Sequence, residues 1–146
     1  MNITGRLTLE KVSNEIINLD QTFFPTPWTI KEWEELHPDS HSLYGWKIQD
    51  RLAGFALFWT LEGDGAAHLL KILLLENDRG KNNSLEFWSA LESSLKARGF
   101  SSVYLEVEVK NLRAQGFYQK VGFRLLRRIK GYYSNGDDAL TMSLTL

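Results

Sequence analysis

The sequence predicts an α/β protein: a mixed α+β sheet flanked by helices. Two observations carry most of that reading. Val103, Leu105, Val107 and Val109 alternate with Tyr104, Glu106 and Glu108, the two-residue period of a strand. Leu112, Ala114, Phe117, Tyr118 and Val121 follow at helical spacings. Asn111 is placed to cap that helix, and Gly122 to end it with a positive φ. Paired strands precede this unit, and strand then alternates with helix, which is the element order of a mixed sheet.

Taken in order, Leu7 to Leu9 reads as a short strand. Leu9, Val12, Ile16 and Leu19 mark an amphipathic helix. Phe23-Phe24-Pro25-Thr26-Pro27-Trp28 breaks it, because proline cannot continue a helix. Thr29 and Glu32 have capping-box spacing and start another short helix, with Ile30 and Trp33 on one face. Leu43–Ile48 and Leu52–Trp59 form a hairpin around Gln49-Asp50-Arg51, and Gly54 inside it signals a bulge or a close backbone approach. Glu62 to Gly65 is a turn cluster. Ala67–Leu75 is apolar almost throughout, as a central strand covered on both faces would be. Asn83 with Glu86 suggests another capping box. The helix beyond it carries Leu85, Trp88, Leu91 and Leu95 on one stripe and stops at Gly99. Phe123–Ile129 and Ala139–Leu146 close the sheet.

The chain has 146 residues, enough for one domain with a core, and residues 1–146 are read as such. With 43% hydrophobic and 24% charged residues it reads as globular. A net charge of −1 argues against nucleic acid as a partner. The run Leu69–Leu75 contains Lys71 and is too short to span a membrane. With no cysteine there is no thiolate metal site and no thiol nucleophile, and the composition suits a cytoplasmic location. No metal is expected. His37 and His41 lie in a loop broken by Pro38, and His68 reads as a packed histidine rather than a base.

The loop from Asn77 to Ser84 leaves a central strand and enters a helix. Such a junction offers unpaired N–H groups and the positive end of the helix dipole, so it is an anion site; Arg79 and Lys81 add charge beside Gly80. It is equally readable as an ordinary helix start with a solvated basic loop.

Leu105-Glu106-Val107, Asn111 and Phe117-Tyr118-Gln119-Lys120-Val121-Gly122-Phe123 together resemble the second half of the GNAT superfamily of acyl-CoA N-acyltransferases. Within it the chain is most similar to RimI-type ribosomal-protein alanine N-acetyltransferases. The resemblance implies a central, mostly antiparallel sheet splayed at the cofactor site. It also implies direct acetyl transfer from acetyl-CoA to an amine, with a protein N-terminus as acceptor and a ribosomal protein among the candidates. The family's pyrophosphate motif falls on Arg79-Gly80-Lys81-Asn82-Asn83-Ser84, where Asn82 and Ser84 replace small glycines. The family's oxyanion donor, a backbone N–H near a strand bulge, maps to about Leu73, Leu74 or Leu75.

The same resemblance gives Glu106 the role of base toward the incoming ammonium and Tyr118 the role of acid toward the leaving sulfur. Asn111 would touch the pantetheine arm. Phe24 and Trp28, with Tyr132 and Tyr133, would line the acceptor groove. Each has a plainer reading. Glu106 can be a solvent-facing strand carboxylate, Tyr118 a core residue, Asn111 only a cap, and the two tyrosines a hairpin tip. Two further functions stay open at this point: a binding module of the same fold that has lost firm cofactor affinity, which Asn82 and Ser84 motivate, and an acetyltransferase of a small amine.

Overall fold

The computed structural model describes residues 5–61, 65–80 and 82–146. Its strands are β1 (Arg6–Leu9), β2 (His41–Ile48), β3 (Arg51–Trp59), β4 (Ala66–Leu74), β5 (Ser102–Glu108), β6 (Arg124–Ile129) and β7 (Ala139–Thr145). They form one sheet in the order β1-β2-β3-β4-β5-β7-β6. Every neighbouring pair is antiparallel except β4 and β5. A parallel pair needs a crossover, which is the helix α3 (Asn83–Ala97).

The helices divide between the two faces. Helices α1 (Asn14–Phe23) and α2 (Ile30–Glu34) cover one face, where Ile16, Trp33, Leu43, Phe55 and Leu57 pack together. Helices α3 and α4 (Leu112–Val121) cover the other, with Trp88, Leu91, Leu95 and Tyr118 packed on Phe58, Leu105 and Val107. β4 has buried residues on both faces, Ala67 and Leu69 on one and Lys71 and Leu73 on the other, but the full cover expected from its apolar run is not met: Ala66, His68, Leu70 and Ile72 are half-buried.

Local signals locate most boundaries. Thr29 caps α2 with both arms of the capping box formed. The Asn111 side chain accepts from the Ala114 N–H, and Gly122 ends α4 at φ +112°. The β2–β3 hairpin turns on Gln49 and Asp50, both at positive φ, the geometry of a tight two-residue turn. Gly54 marks a close approach, since a Cβ there would lie 2.3 Å from the Leu73 carbonyl oxygen. The neighbouring Ala53 is the extra residue of a bulge against β2.

Three expectations are corrected. α1 begins at Asn14, not Leu9. Ser13 caps it by accepting from the Ile16 N–H, while Leu9 belongs to β1 and is 74% exposed. Ile30, the first residue of α2, does not share the burial of Trp33 and is 56% exposed. The N-cap of α3 is Asn82, in a left-handed conformation without a side-chain cap bond, and Asn83 is the first helical residue. Of the expected Glu62–Gly65 turn, residues 62–64 lie outside the described residues.

Leu91 is wholly buried on α3, so Leu91→Ala should lower the unfolding free energy by about 2–5 kcal/mol. Leu112→Ala on the exposed face of α4 should change it by less than about 0.5 kcal/mol. Urea denaturation of both variants measures the difference.

Candidate active site

β4 and β5 begin as partners and then separate. Their pairing covers Ala66–Leu69 against Ser102–Leu105 and stops. Beyond that point Glu106 to Glu108 remain paired with β7, and Lys71 to Leu74 with β3. The separation coincides with a bulge. Leu57 faces Lys71 and Phe58 faces Leu69, which leaves Leu70 unmatched on β3. Leu70 and Lys71 therefore both turn to the α1–α2 face: Leu70 packs in that core and Lys71 reaches Asp20 on α1.

The gap opens a cleft of about 620 Å³. Among the described residues the β4–β5 ladder stops at Leu69, so from Leu70 onward the backbone groups of β4 that point toward β5 face the cleft instead of a partner strand. The bulge lies at Leu70, upstream of Leu73–Leu75, the residues to which the resemblance assigns the oxyanion donor. Leu73 and Leu74 line the cleft, but Leu75 does not, and its N–H is already donated to the Ala53 carbonyl at 2.9 Å.

Glu106 and Tyr118 line the same cleft. Glu106 stands on the α1–α2 face of β5, opposite in pleat to the buried Leu105 and Val107, and Tyr118 comes from α4 on the other side. The split lets the two meet in one opening. The Tyr118 ring is held edge-on between Phe117 and Phe123, with centroids 5.9 and 5.4 Å away. Burial pushes its phenol up to about 12, so the hydroxyl keeps its proton across the neutral range.

The reading of His68 as a packed histidine is corrected: it is half-buried and bonded to Glu106. Its Nε2 lies 2.6 Å from Glu106 Oε2, and its ring meets Tyr104 edge-on. The cause is register: His68 pairs with Tyr104, which shares a face with Glu106 two residues on. No signal in the sequence sets that register.

At the far end of β4, Arg79 Nε donates to the Leu74 carbonyl at 2.8 Å, which fixes the guanidinium at the cleft edge beside Ser84. Its two Nη groups have no partner among the described residues. Asn82 has φ +65°, a conformation that glycine adopts without strain and asparagine tolerates. The backbone path of a glycine is thus kept by a different residue. Gly80 and Asn83 flank it, with the Asn83 N–H bonded to the Gly80 carbonyl, while Lys81 lies outside the described residues. Asn111 lines the cleft as well as capping α4.

Phe24 and Trp28, from the turn between α1 and α2, form one wall of the cleft, and Tyr133 lies across from them. Tyr132 is not part of the lining and is 46% exposed. Burial first, and then the Glu106 carboxylate, raise its phenol above the usual tyrosine range. Burial followed by the charge of Glu108 does the same for Tyr133. Among the described residues there is no cluster of three or more His, Cys, Asp or Glu fit to hold a metal, and no helix is long and apolar enough to cross a membrane.

The sequence pattern of the acetyltransferase (GNAT) family matches residues 13–123. The chain belongs to this family. It is an N-acetyltransferase, and acetyl-CoA is its co-substrate. A putative ribosomal protein bS18-alanine N-acetyltransferase from Bacillus subtilis is 30% identical over 144 residues, covering 96% of this chain and 93% of that protein. An N-alpha-acetyltransferase from Saccharolobus solfataricus is 35% identical over 80 residues, 54% of this chain and 48% of that protein, so this match spans about half the length of each. Among solved structures, the ribosomal-protein-S18-alanine N-acetyltransferase of Escherichia coli superposes with a TM-score of 0.80 at 20% identity, covering 96% of this chain and 94% of that one.

The left-handed Asn82 gives a direct check on the loop. Asn82→Gly should leave thermal stability nearly unchanged, whereas Asn82→Val should cost about 1–2 kcal/mol, because a β-branched residue is strained there. Calorimetric melting of the two variants measures this.

Proposed function

We propose that the chain acetylates the N-terminal α-amine of a protein, with Glu106 as the base and Tyr118 as the acid. The observation that carries this reading is that the two side chains, from opposite faces of the sheet, line one cleft where β4 and β5 part.

The residues present fit acetyl-CoA. Cleft-facing backbone groups along Leu70 to Leu74 suit the amide-rich pantetheine arm. Arg79 and the N-terminus of α3 suit its phosphates, and Asn111 borders the arm's path. The co-substrate supplies an acetyl group activated as a thioester. Glu106, held at Oε2 by His68, accepts a proton from the acceptor ammonium. His68 thereby fixes the orientation of the carboxylate. Tyr118, protonated and shielded, gives its proton to the departing sulfur. A cleft-facing β4 N–H beside the bulge donates to the oxygen that gains charge during transfer.

Two observations favour a peptide acceptor over a small amine. The side of the cleft formed by the α1–α2 turn is long and aromatic, lined by Phe23, Phe24, Pro25, Thr26 and Trp28. The full-length relative from Bacillus subtilis carries the name of a ribosomal protein bS18-alanine N-acetyltransferase. A ribosomal protein with an N-terminal alanine is accordingly the first acceptor to try.

Acetylation of a peptide array with free and blocked N-termini tests the acceptor. Transfer is expected to free α-amines and not to blocked peptides whose only amine is a lysine. Glu106→Gln and Tyr118→Phe should each lower kcat by at least about tenfold, and wild-type rates in both would remove the acid–base assignment. Arg79→Ala should weaken acetyl-CoA binding by about fivefold or more in calorimetric titration.

A further inference from the structure

We propose that the buried Asp20–Lys71 ion pair is the positioning element of the acceptor wall, coupling the Phe24–Trp28 turn to the bulge of β4. This rests on the reading of that turn as the acceptor side of the site. Lys71 Nζ lies 2.6 Å from Asp20 Oδ1, and the side chains are 5% and 0% exposed. The other carboxylate oxygen, Oδ2, accepts from the Trp28 backbone N–H at 2.8 Å and from Trp33 Nε1–H at 2.9 Å. The ammonium also stands over the Phe24 ring, 4.6 Å from its centroid, and 5.5 Å from that of Trp28.

The turn cannot hold itself. Pro25 and Pro27 have no N–H to donate, so the segment from Phe24 to Trp28 has few backbone donors of its own. The bond from Trp28 N–H to Asp20 therefore does what a turn's own ladder would otherwise do. Lys71 extends the tie to the cleft floor, because the bulge at Leu70 swings it to the α1–α2 face. Stability alone does not call for such a pair: well-packed apolar residues of the same volume serve as well or better, and a buried ionic group is best understood where it fixes a geometry. Here the fixed geometry is the distance between the aromatic wall and the reacting edge of β4.

The test is Lys71→Met, compared with Lys71→Arg and wild type, using residue-resolved hydrogen exchange and two-substrate kinetics. Lys71→Met should speed exchange of the Trp28 amide by about tenfold or more and raise the KM for an acceptor peptide by a similar factor, while acetyl-CoA affinity stays within about twofold. Lys71→Arg, which keeps the cation, should restore most of the peptide KM. An unchanged Trp28 amide in Lys71→Met, or acetyl-CoA affinity falling in step with that for the peptide, overturns the proposal. If Lys71→Met does not fold, the wild type and Lys71→Arg decide. In the wild type the Trp28 amide must exchange at least about tenfold more slowly than that of Thr26, and Lys71→Arg must keep the wild-type peptide KM; failure of either overturns it. A chain that acetylates no peptide defeats the acceptor reading separately, and the exchange data still judge the pair.

Discussion

The structure depends on a pairing that stops. β4 and β5 share only Ala66–Leu69 and Ser102–Leu105, after which each strand continues with its other neighbour alone. A sheet is ordinarily a continuous wall, because an unpaired buried backbone group is costly. Interrupting it in the middle turns backbone edges of two strands toward a cleft instead of toward each other. The extra residue at Leu70 coincides with the interruption and turns two successive side chains to one face. The open wall of the cleft and the turn of Lys71 toward Asp20 thus meet at one irregularity.

The two faces of the sheet are built with different means. On the α3–α4 face, Tyr118, Phe123 and Trp88 form a contiguous aromatic group that holds the phenol in place and excludes water from it. On the α1–α2 face, polar groups do the positioning: His68 against Glu106, and Asp20 against Lys71, Trp28 and Trp33. The arrangement suits the roles proposed for the two groups: an apolar setting helps a phenol keep its proton, and a hydrogen-bond partner keeps a carboxylate oriented.

What the sequence made legible was local. The Thr29–Glu32 capping box, the Asn111 cap, the Gly122 stop and the alternation of β5 all depend on residues within four positions of one another. Gly54 was legible too, because a glycine inside a strand has few other reasons to be there. What stayed hidden depends on register between distant segments. The bulge at Leu70 exists only relative to β3, and His68 meets Glu106 only through the β4–β5 alignment. Asp20 and Lys71 lie 51 residues apart, and neither a lysine in an apolar run nor an acid on a helix names its partner. The left-handed Asn82 is intermediate: its tolerance of positive φ is a property of the residue, but its use of it is a property of the loop.

Gly54 carries a last consequence. The space a side chain would need there is occupied by the carbonyl of Leu73, whose residue lines the cleft from the neighbouring strand. Adding a single methyl group on β3 would press directly on that wall of the cleft, although Gly54 itself is not among the residues that line it. The protein's narrowest tolerance to change therefore includes a spot with no functional group at all, and a screen that looked only for reactive side chains would miss it.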